Sequence, residues 1–204
     1  MTSPLPLFPL GTVLFPGLVM PLHVFEERYR AMVRDVLTGT RCLAVGPLVP
    51  DARQEDELPS VQPIAGVGEV VMAHELPDGR FNLVVRGRAR IRIDEELETR
   101  RPYREIAATV LPDLPVLDDA EQSLRALAGQ LADAIPEGGD ILKQIVASQD
   151  TPASLVDVLT AQLVYDPTTR QRLLETREVM RRIERVSAEV VAMTSRIASS
   201  GPVN

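Results

Sequence analysis

Residues 4–30 read PLPLFPLGTVLFPGLVMPLHVFEERYR, and this is the most informative stretch of the chain. Prolines recur at intervals among its apolar residues: Pro4, Pro6, Pro9, Pro16 and Pro21. Because each proline lacks a backbone N–H, the stretch cannot form one long helix, and its strands must be short or lie at a sheet edge. We therefore expect a strand, an FPG turn and a second strand.

A helix follows the second strand. Apolar residues recur three or four positions apart after Pro21, namely Phe25, Tyr29, Met32, Val33 and Val36. This spacing predicts an amphipathic helix that ends near Gly39.

Residues Ile64 to Ile93 are typical of a hairpin with its turn at Pro77, Asp78 and Gly79. The second arm alternates strictly between two faces. One face is apolar, and the other carries a row of arginines, Arg86, Arg88, Arg90 and Arg92. Since a strand usually has about five or six residues, this longer arm should bend or bulge, and we place that irregularity at Gly87.

A domain boundary follows a strand predicted over Tyr103–Leu111. We expect a β subdomain over residues 1–112, a helical subdomain over 113–199 and a disordered tail over 200–204. Two helices should begin at cap-then-proline pairs, Thr151 with Pro152 and Asp166 with Pro167.

The last helix should be the longest, running from about residue 167 to about residue 198. It carries a heptad seam formed by Val179, Ile183, Val186, Val190, Met193 and Ile197. We favour packing of this seam on the helices of its own chain. The alternative is oligomerisation through this helix.

Composition limits the classes of partner. The net charge is −7, aromatic residues make up 3% of the chain and tryptophan is absent, so nucleic acid is a disfavoured partner. The single cysteine, Cys42, has no partner for an internal disulfide, which favours a cytoplasmic protein. No apolar run is long enough to span a membrane, and no signal peptide opens the chain.

In the order of these motifs the chain resembles the N-terminal substrate-binding domain of the Lon protease family. The matching strings are LPLFPL (Leu5–Leu10), VLFPGLVMPLHVFEERYRAMV (Val13–Val33) and LPDGRFNLVVRGRARIRI (Leu76–Ile93), with a helical half that begins at Ala147. The resemblance implies an α+β fold: a mostly antiparallel, PUA-like N-terminal β-barrel with one inserted helix, followed by a helical subdomain ending in a long helix.

A complete Lon protease adds an ATPase module and a Ser–Lys protease module, each with its own sequence signature. No phosphate-binding loop of the form GxxxxGK[ST] is present, and the sole lysine, Lys143, sits in a periodic helical segment. The two histidines, His23 and His74, and Cys42 are a poor ligand set for zinc. We expect no enzyme activity, no metal and no cofactor.

The resemblance implies binding of unfolded or tagged polypeptide segments, with a protease or a chaperone as a further partner. We select Phe15, Leu18 and Met20 around the FPG turn as candidate contacts, since a proline-bracketed apolar loop cannot all be buried. The alternative function is an RNA-binding PUA-like module that uses the arginine row. A simpler interpretation of the row is the solvated face of an amphipathic strand, which we favour. A hydrolase ranks last.

Overall fold

The computed structural model describes residues 4–50, 58–114, 120–135 and 138–199. The chain divides into two compact units, Met1–Pro112 and Asp113–Asn204. The tail expected to be disordered, residues 200–204, lies outside the described residues.

The N-terminal unit contains six strands and one helix in its described part. In chain order they are β1 (Leu5–Leu10), β2 (Val19–Val24), α1 (Glu27–Thr38), β3 (Cys42–Pro47), β4 (Ile64–Glu75), β5 (Phe81–Leu97) and β6 (Arg104–Leu111). The predicted strand–turn–strand–helix order of the opening stretch is therefore confirmed.

The sheet is mixed. β1 runs parallel to β3, and the other strand pairs are antiparallel. The order is β2-β5-β4-β3-β1-β6, and β5 also pairs with β6, so five strands form a closed circuit of pairings. β2 pairs with the first part of β5. The expected PUA-like barrel stays a prediction, because a circuit of pairings does not by itself establish a barrel.

α1 closes the core of this unit. It buries Tyr29, Met32, Val33 and Val36, as its periodicity predicts. Phe25, counted in the same stripe, is instead 60% exposed. The helix begins at Glu27, so Phe25 lies before its first turn and does not share its buried face.

The FPG segment forms a tight turn. Gly17 has φ +80°, and Leu18 donates its N–H to the Phe15 carbonyl at 3.3 Å. Proline at the second position and a glycine of positive φ at the third define a type II turn. Gly17 also donates to Gly87, and Gly87 donates to Leu18, at 2.9 and 2.8 Å. The turn is thereby fastened to β5 at one residue.

The hairpin turn between β4 and β5 is also confirmed. Gly79 has φ +79°, and its N–H donates to Leu76 at 2.9 Å, while Leu76 donates to Arg80 at 2.8 Å. Glycine supplies a conformation that most residues avoid.

The helical unit contains five helices in its described part. They are α2 (Ala120–Ala134), α3 (Gly139–Ala147), α4 (Pro152–Leu163), α5 (Pro167–Glu175) and α6 (Val179–Ser199). Both predicted caps are confirmed: Thr151 accepts from the Ser154 N–H at 3.1 Å, and Asp166 accepts from the Thr169 N–H at 2.7 Å. Among the described residues, no helix combines the length and the apolar character needed to cross a bilayer.

The single long helix expected from about residue 167 to about residue 198 is wrong. The chain leaves helical geometry at Thr176, whose ψ is 110°, and α6 starts at Val179. Leu114 donates its N–H to Arg177 at 3.0 Å and forms a parallel bridge with Glu178. This pairing joins residues far apart in sequence, so the local helical pattern carried no sign of it.

α6 packs on α2 and α4 within the helical unit. Four residues of its seam, Val179, Ile183, Val186 and Val190, are buried, while Met193 and Ile197 are half-buried. Packing on the chain's own helices thus accounts for the first part of the seam.

A polar contact lies inside this apolar unit. The guanidinium of Arg182 is fully buried and donates to Asp157 Oδ1 at 2.6 Å. Arg182 Nη2 lies 2.7 Å from Oδ1 of Asp113, the residue with which the helical unit begins. The arginine therefore joins α4, α6 and the start of the unit.

Candidate polypeptide-binding face

The three residues selected around the FPG turn do not share one exposed surface. Phe15 is 0% exposed and is among the largest fully buried side chains, so its selection as a contact is wrong. The turn points its backbone toward β5 and its phenylalanine into the core. Leu18 and Met20 are half-buried, and Met20 packs against the core cluster. Their role as contacts stays a prediction.

The arginine row is also not continuous. Val67 pairs with Ala89 while its neighbour Gly68 pairs with Gly87, so Arg88 is an extra residue that forms a β-bulge. The bend or bulge expected at Gly87 is thus confirmed, and it lies at the next residue, Arg88. Because a bulge changes which side of the strand later residues face, Arg90 is 2% exposed and does not belong to a solvated row.

The exposed arginines of the row differ in their partners. Arg88 donates to Glu69 through Nε at 2.9 Å, and Arg92 donates to Asp94 at 2.9 Å. Within the described residues, the exposed guanidinium of Arg86 makes no hydrogen bond or ion pair. This arrangement does not form the uniform basic stripe that the RNA alternative requires.

A different surface, which we call the outer face, lies on β2, β5 and β4 and consists of three rows of three residues. Cross-strand pairing defines the rows as His23–Asn82–His74, Pro21–Val84–Met72 and Val19–Arg86–Glu69. Alternate residues of the same strands point inward, and Phe81, Leu83 and Val85 of β5 are buried. The outer face therefore covers the core of the N-terminal unit.

The middle of the outer face is apolar. Met72 is 63% exposed, Val19 is 54% exposed, and Pro21 is exposed beside the half-buried Val84. Met72, Pro21 and Val84 line a shallow groove of about 380 Å³ together with Leu22 and Leu83, and Val19 lies two residues before Pro21 on β2. Exposed contiguous apolar surface of this kind is typical of an interaction site.

One end of the groove is polar. His23 Nδ1 lies 2.8 Å from Asn82 Oδ1, and Arg80 lies 3.3 Å from His23 Nε2. His74 lines the same groove. In the part of the chain that the structure describes, no group of three or more His, Cys, Asp or Glu side chains could hold a metal ion.

The outer edge of β2 is poorly suited to pairing with an added strand. The Gly87 N–H donates to the Leu18 carbonyl, so these two residues form a hydrogen-bonded pair. In an antiparallel pair of strands, hydrogen-bonded pairs alternate with non-hydrogen-bonded pairs. By that alternation, Pro21 and Val84 form a non-hydrogen-bonded pair, so the nitrogen of Pro21 points to the outer edge. Because proline has no N–H, an added strand would lose a hydrogen bond at the centre of this edge.

A second concavity, of about 260 Å³, is lined by Arg28, Tyr29, Arg101, Tyr103 and Arg104 among others. The Tyr103 hydroxyl donates to Asp35 Oδ2 at 2.7 Å, and burial together with this carboxylate raises the pKa of Tyr103. Arg101 pairs with Asp35. These polar groups bind one another, so their contacts stabilise the fold and do not form a ligand-binding site.

Lys143 lacks a catalytic setting. Its Nζ lies 2.6 Å from Asp133 Oδ1, and the side chain is half-exposed. The hydrogen bond to Asp133 raises the pKa of Lys143. A lysine that serves as the base of a Ser–Lys dyad requires the opposite shift, which desolvation supplies.

The chain thus folds as an α+β domain that carries an exposed apolar groove. The family model described as the ATP-dependent protease La (LON) substrate-binding domain matches residues 4–191. The chain therefore belongs to the LON substrate-binding domain family, and the resemblance read from its motifs is confirmed.

Curated relatives are complete Lon proteases. The Lon protease of Anaeromyxobacter dehalogenans is 28% identical over 211 residues, which cover 96% of this chain and 25% of the relative. That of Dictyoglomus thermophilum is 29% identical over 189 residues, covering 90% of this chain and 24% of the relative. The chain thus spans about a quarter of the length of these relatives.

Solved structures support the fold. The N-terminal domain of Mycobacterium avium complex Lon protease has a TM-score of 0.73 at 18% identity, covering 93% of this chain and 98% of that one. A Lon N-terminal domain protein from Xanthomonas campestris has a TM-score of 0.68 at 24% identity, covering 92% of this chain and 98% of that one.

Proposed function

We propose that this chain binds extended, unfolded polypeptide segments on its outer face and catalyses no reaction itself. The exposed apolar groove carries the proposal: Met72, which lines it, and Val19, which lies next to it on β2, stay in water in the folded chain and would leave it when a segment binds. Membership of the substrate-binding domain family supports the same reading.

The side chains of the groove suit a site that accepts many sequences. Methionine is unbranched and adapts to irregular surfaces, so Met72 can contact different apolar side chains. Pro21 and Val84 give the groove a rigid, apolar floor because neither has a flexible side chain. The proline also directs a bound segment onto the face and away from the strand edge.

Binding of this kind should respond weakly to salt, because burial of apolar surface releases few counterions. RNA binding would weaken by orders of magnitude between about 50 and 200 mM salt if six or more phosphates were contacted. We further propose that the bound segment is passed to a protease or a chaperone, since the relatives that this chain matches are Lon proteases.

The experiment is an anisotropy titration with a labelled, permanently unfolded client such as reduced and carboxymethylated α-lactalbumin. Met72→Ser should weaken binding by about ten- to a hundredfold, because burying such a side chain is worth about 1.5–3 kcal/mol. Ile141→Ser is the matched control, since Ile141 is also 63% exposed but lies on α3. Equal effects of the two changes, or a steep salt dependence, would refute the proposed face.

A further inference from the structure

The outer face carries a positive charge next to its apolar row. Arg86 stands beside Val19 and two residues along β5 from Val84, which belongs to the apolar row. Its exposed guanidinium makes no hydrogen bond or ion pair within the described residues. An exposed cation with no partner of its own can accept a carboxylate from a bound molecule.

The acidic residue opposite Arg86 does not neutralise it. Glu69 pairs with Arg86 across the strands, but its carboxylate is bound by Arg88, whose Nε lies 2.9 Å away. Arg88, Arg41 and Arg86 together lower the pKa of Glu69. Arg88 binds this carboxylate and Arg86 pairs with Glu69 across the strands, so two guanidiniums stand against one carboxylate and this end of the outer face is positive, although the whole chain has a net charge of −7.

The acidic residues at the other end of the groove already have partners. Glu75 lies 3.0 Å from Arg34, and Asp78 lies 2.7 Å from Arg80. They therefore do not cancel the attraction that the Arg86 end would exert on a carboxylate.

The spacing along β5 matches the repeat of an extended chain. Residues two apart in a strand lie about 6.8 Å from each other, and both project from the same face. A bound segment lying along β5 would also present alternate side chains at about 6.8 Å. An apolar side chain over Val84 would then place the side chain two positions away at Arg86.

We propose that the outer face selects segments in which an acidic residue stands two positions from an apolar residue, with Arg86 binding the carboxylate. This inference rests on the proposed function, because it assigns a preference to the same face. Arg86 acts as a specificity residue: the groove holds the apolar side chain, and the guanidinium distinguishes glutamate from lysine beside it.

The test uses labelled twelve-residue peptides of Gly and Ser that carry Leu-Ser-Glu, Leu-Ser-Lys or Leu-Glu-Ser at their centre. The protein should bind the Leu-Ser-Glu peptide about two- to fivefold more tightly than either other peptide, the range expected for an exposed ion pair. Arg86→Gln should remove this preference, and Arg86→Glu should reverse it between glutamate and lysine. Arg92→Gln, an arginine change on the same strand, should leave it intact.

The outcomes separate the inference from the proposed function. If the peptides bind and Met72→Ser weakens them all, but Arg86→Gln leaves the ratio of glutamate to lysine affinities unchanged, the inference is wrong and the proposed function stands. If no peptide binds, or Met72→Ser has no effect, the proposed function fails and the inference with it. Circular dichroism of each variant establishes that the fold is retained.

Discussion

The carbonyl oxygen of Phe15 lies so close to Gly87 that a Cβ atom at residue 87 would overlap it. The same glycine exchanges hydrogen bonds with Gly17 and Leu18, so the FPG turn and β5 are in direct backbone contact. This contact fixes where β2 begins and therefore which residues it presents beside Arg86 and Val84. The outer face depends on a glycine that is not part of it.

Replacing Gly87 should destabilise the N-terminal unit. Gly87 does not have a positive φ, so the reason is the missing space for a side chain and not an unusual backbone angle. We expect Gly87→Val to lower the free energy of unfolding by about 1–3 kcal/mol, measured by urea denaturation. Gly129→Ala is the control: a Cβ there meets nothing within 4 Å, and alanine favours the helix α2 by up to about 1 kcal/mol. An unchanged stability of Gly87→Val would contradict the close approach.

The buried pair of Arg182 and Asp157 gives a second prediction, on the helical unit. Asp157→Ala should lower the free energy of unfolding by about 3–5 kcal/mol, because it leaves a buried guanidinium without its closest carboxylate. The double change Asp157→Leu with Arg182→Met should cost much less, since it removes both fully buried charges together, and Asp113, which also contacts Arg182, is partly exposed to water. A double variant as unstable as Asp157→Ala would show that the loss comes from packing rather than from the unpaired charge.

The cap of α5 predicts a dependence on pH. Hydrogen bonds from the Thr169 hydroxyl and N–H lower the pKa of the Asp166 carboxyl in the folded chain. A lowered folded pKa stabilises the protein above the unfolded value of about 3.9, and this stabilisation is lost as the pH falls through the folded pKa.

Asp166→Asn tests this sign, because asparagine also caps helices but carries no titrating group. The stability advantage of the natural residue over Asp166→Asn should shrink as the pH falls from about 6 to below about 3. It is measured as the difference between two urea unfolding curves at each pH. A difference that stays constant over this range would contradict the account.

Local patterns in the sequence predicted the elements that depend on neighbouring residues. The FPG and PDG turns, the amphipathic α1 and the caps at Thr151 and Asp166 all follow from residues within a few positions of one another. Turn glycines, helical periodicity and cap-proline pairs act locally, so they can be read without knowledge of the fold.

The sequence predictions were wrong where contacts with a distant segment of the chain determine the structure. Arg90 is buried because a bulge at Arg88 changes the side that the strand presents, and strict alternation gave no sign of that. The break between α5 and α6 follows from pairing of residues 177–178 with Leu114. Phe15 is buried because its turn packs on β5. For the same reason, the three rows of the outer face could not be assembled from one strand alone.

The most direct test of the outer face is NMR of methionine methyl groups during titration with the unfolded client. Met72 is 63% exposed on the outer face, whereas Met32 is 0% exposed in the core and serves as an internal control. The Met72 methyl resonance should shift or broaden as client is added, while that of Met32 should not. Bound client that leaves the Met72 resonance unchanged would contradict the assignment of this face as the binding site.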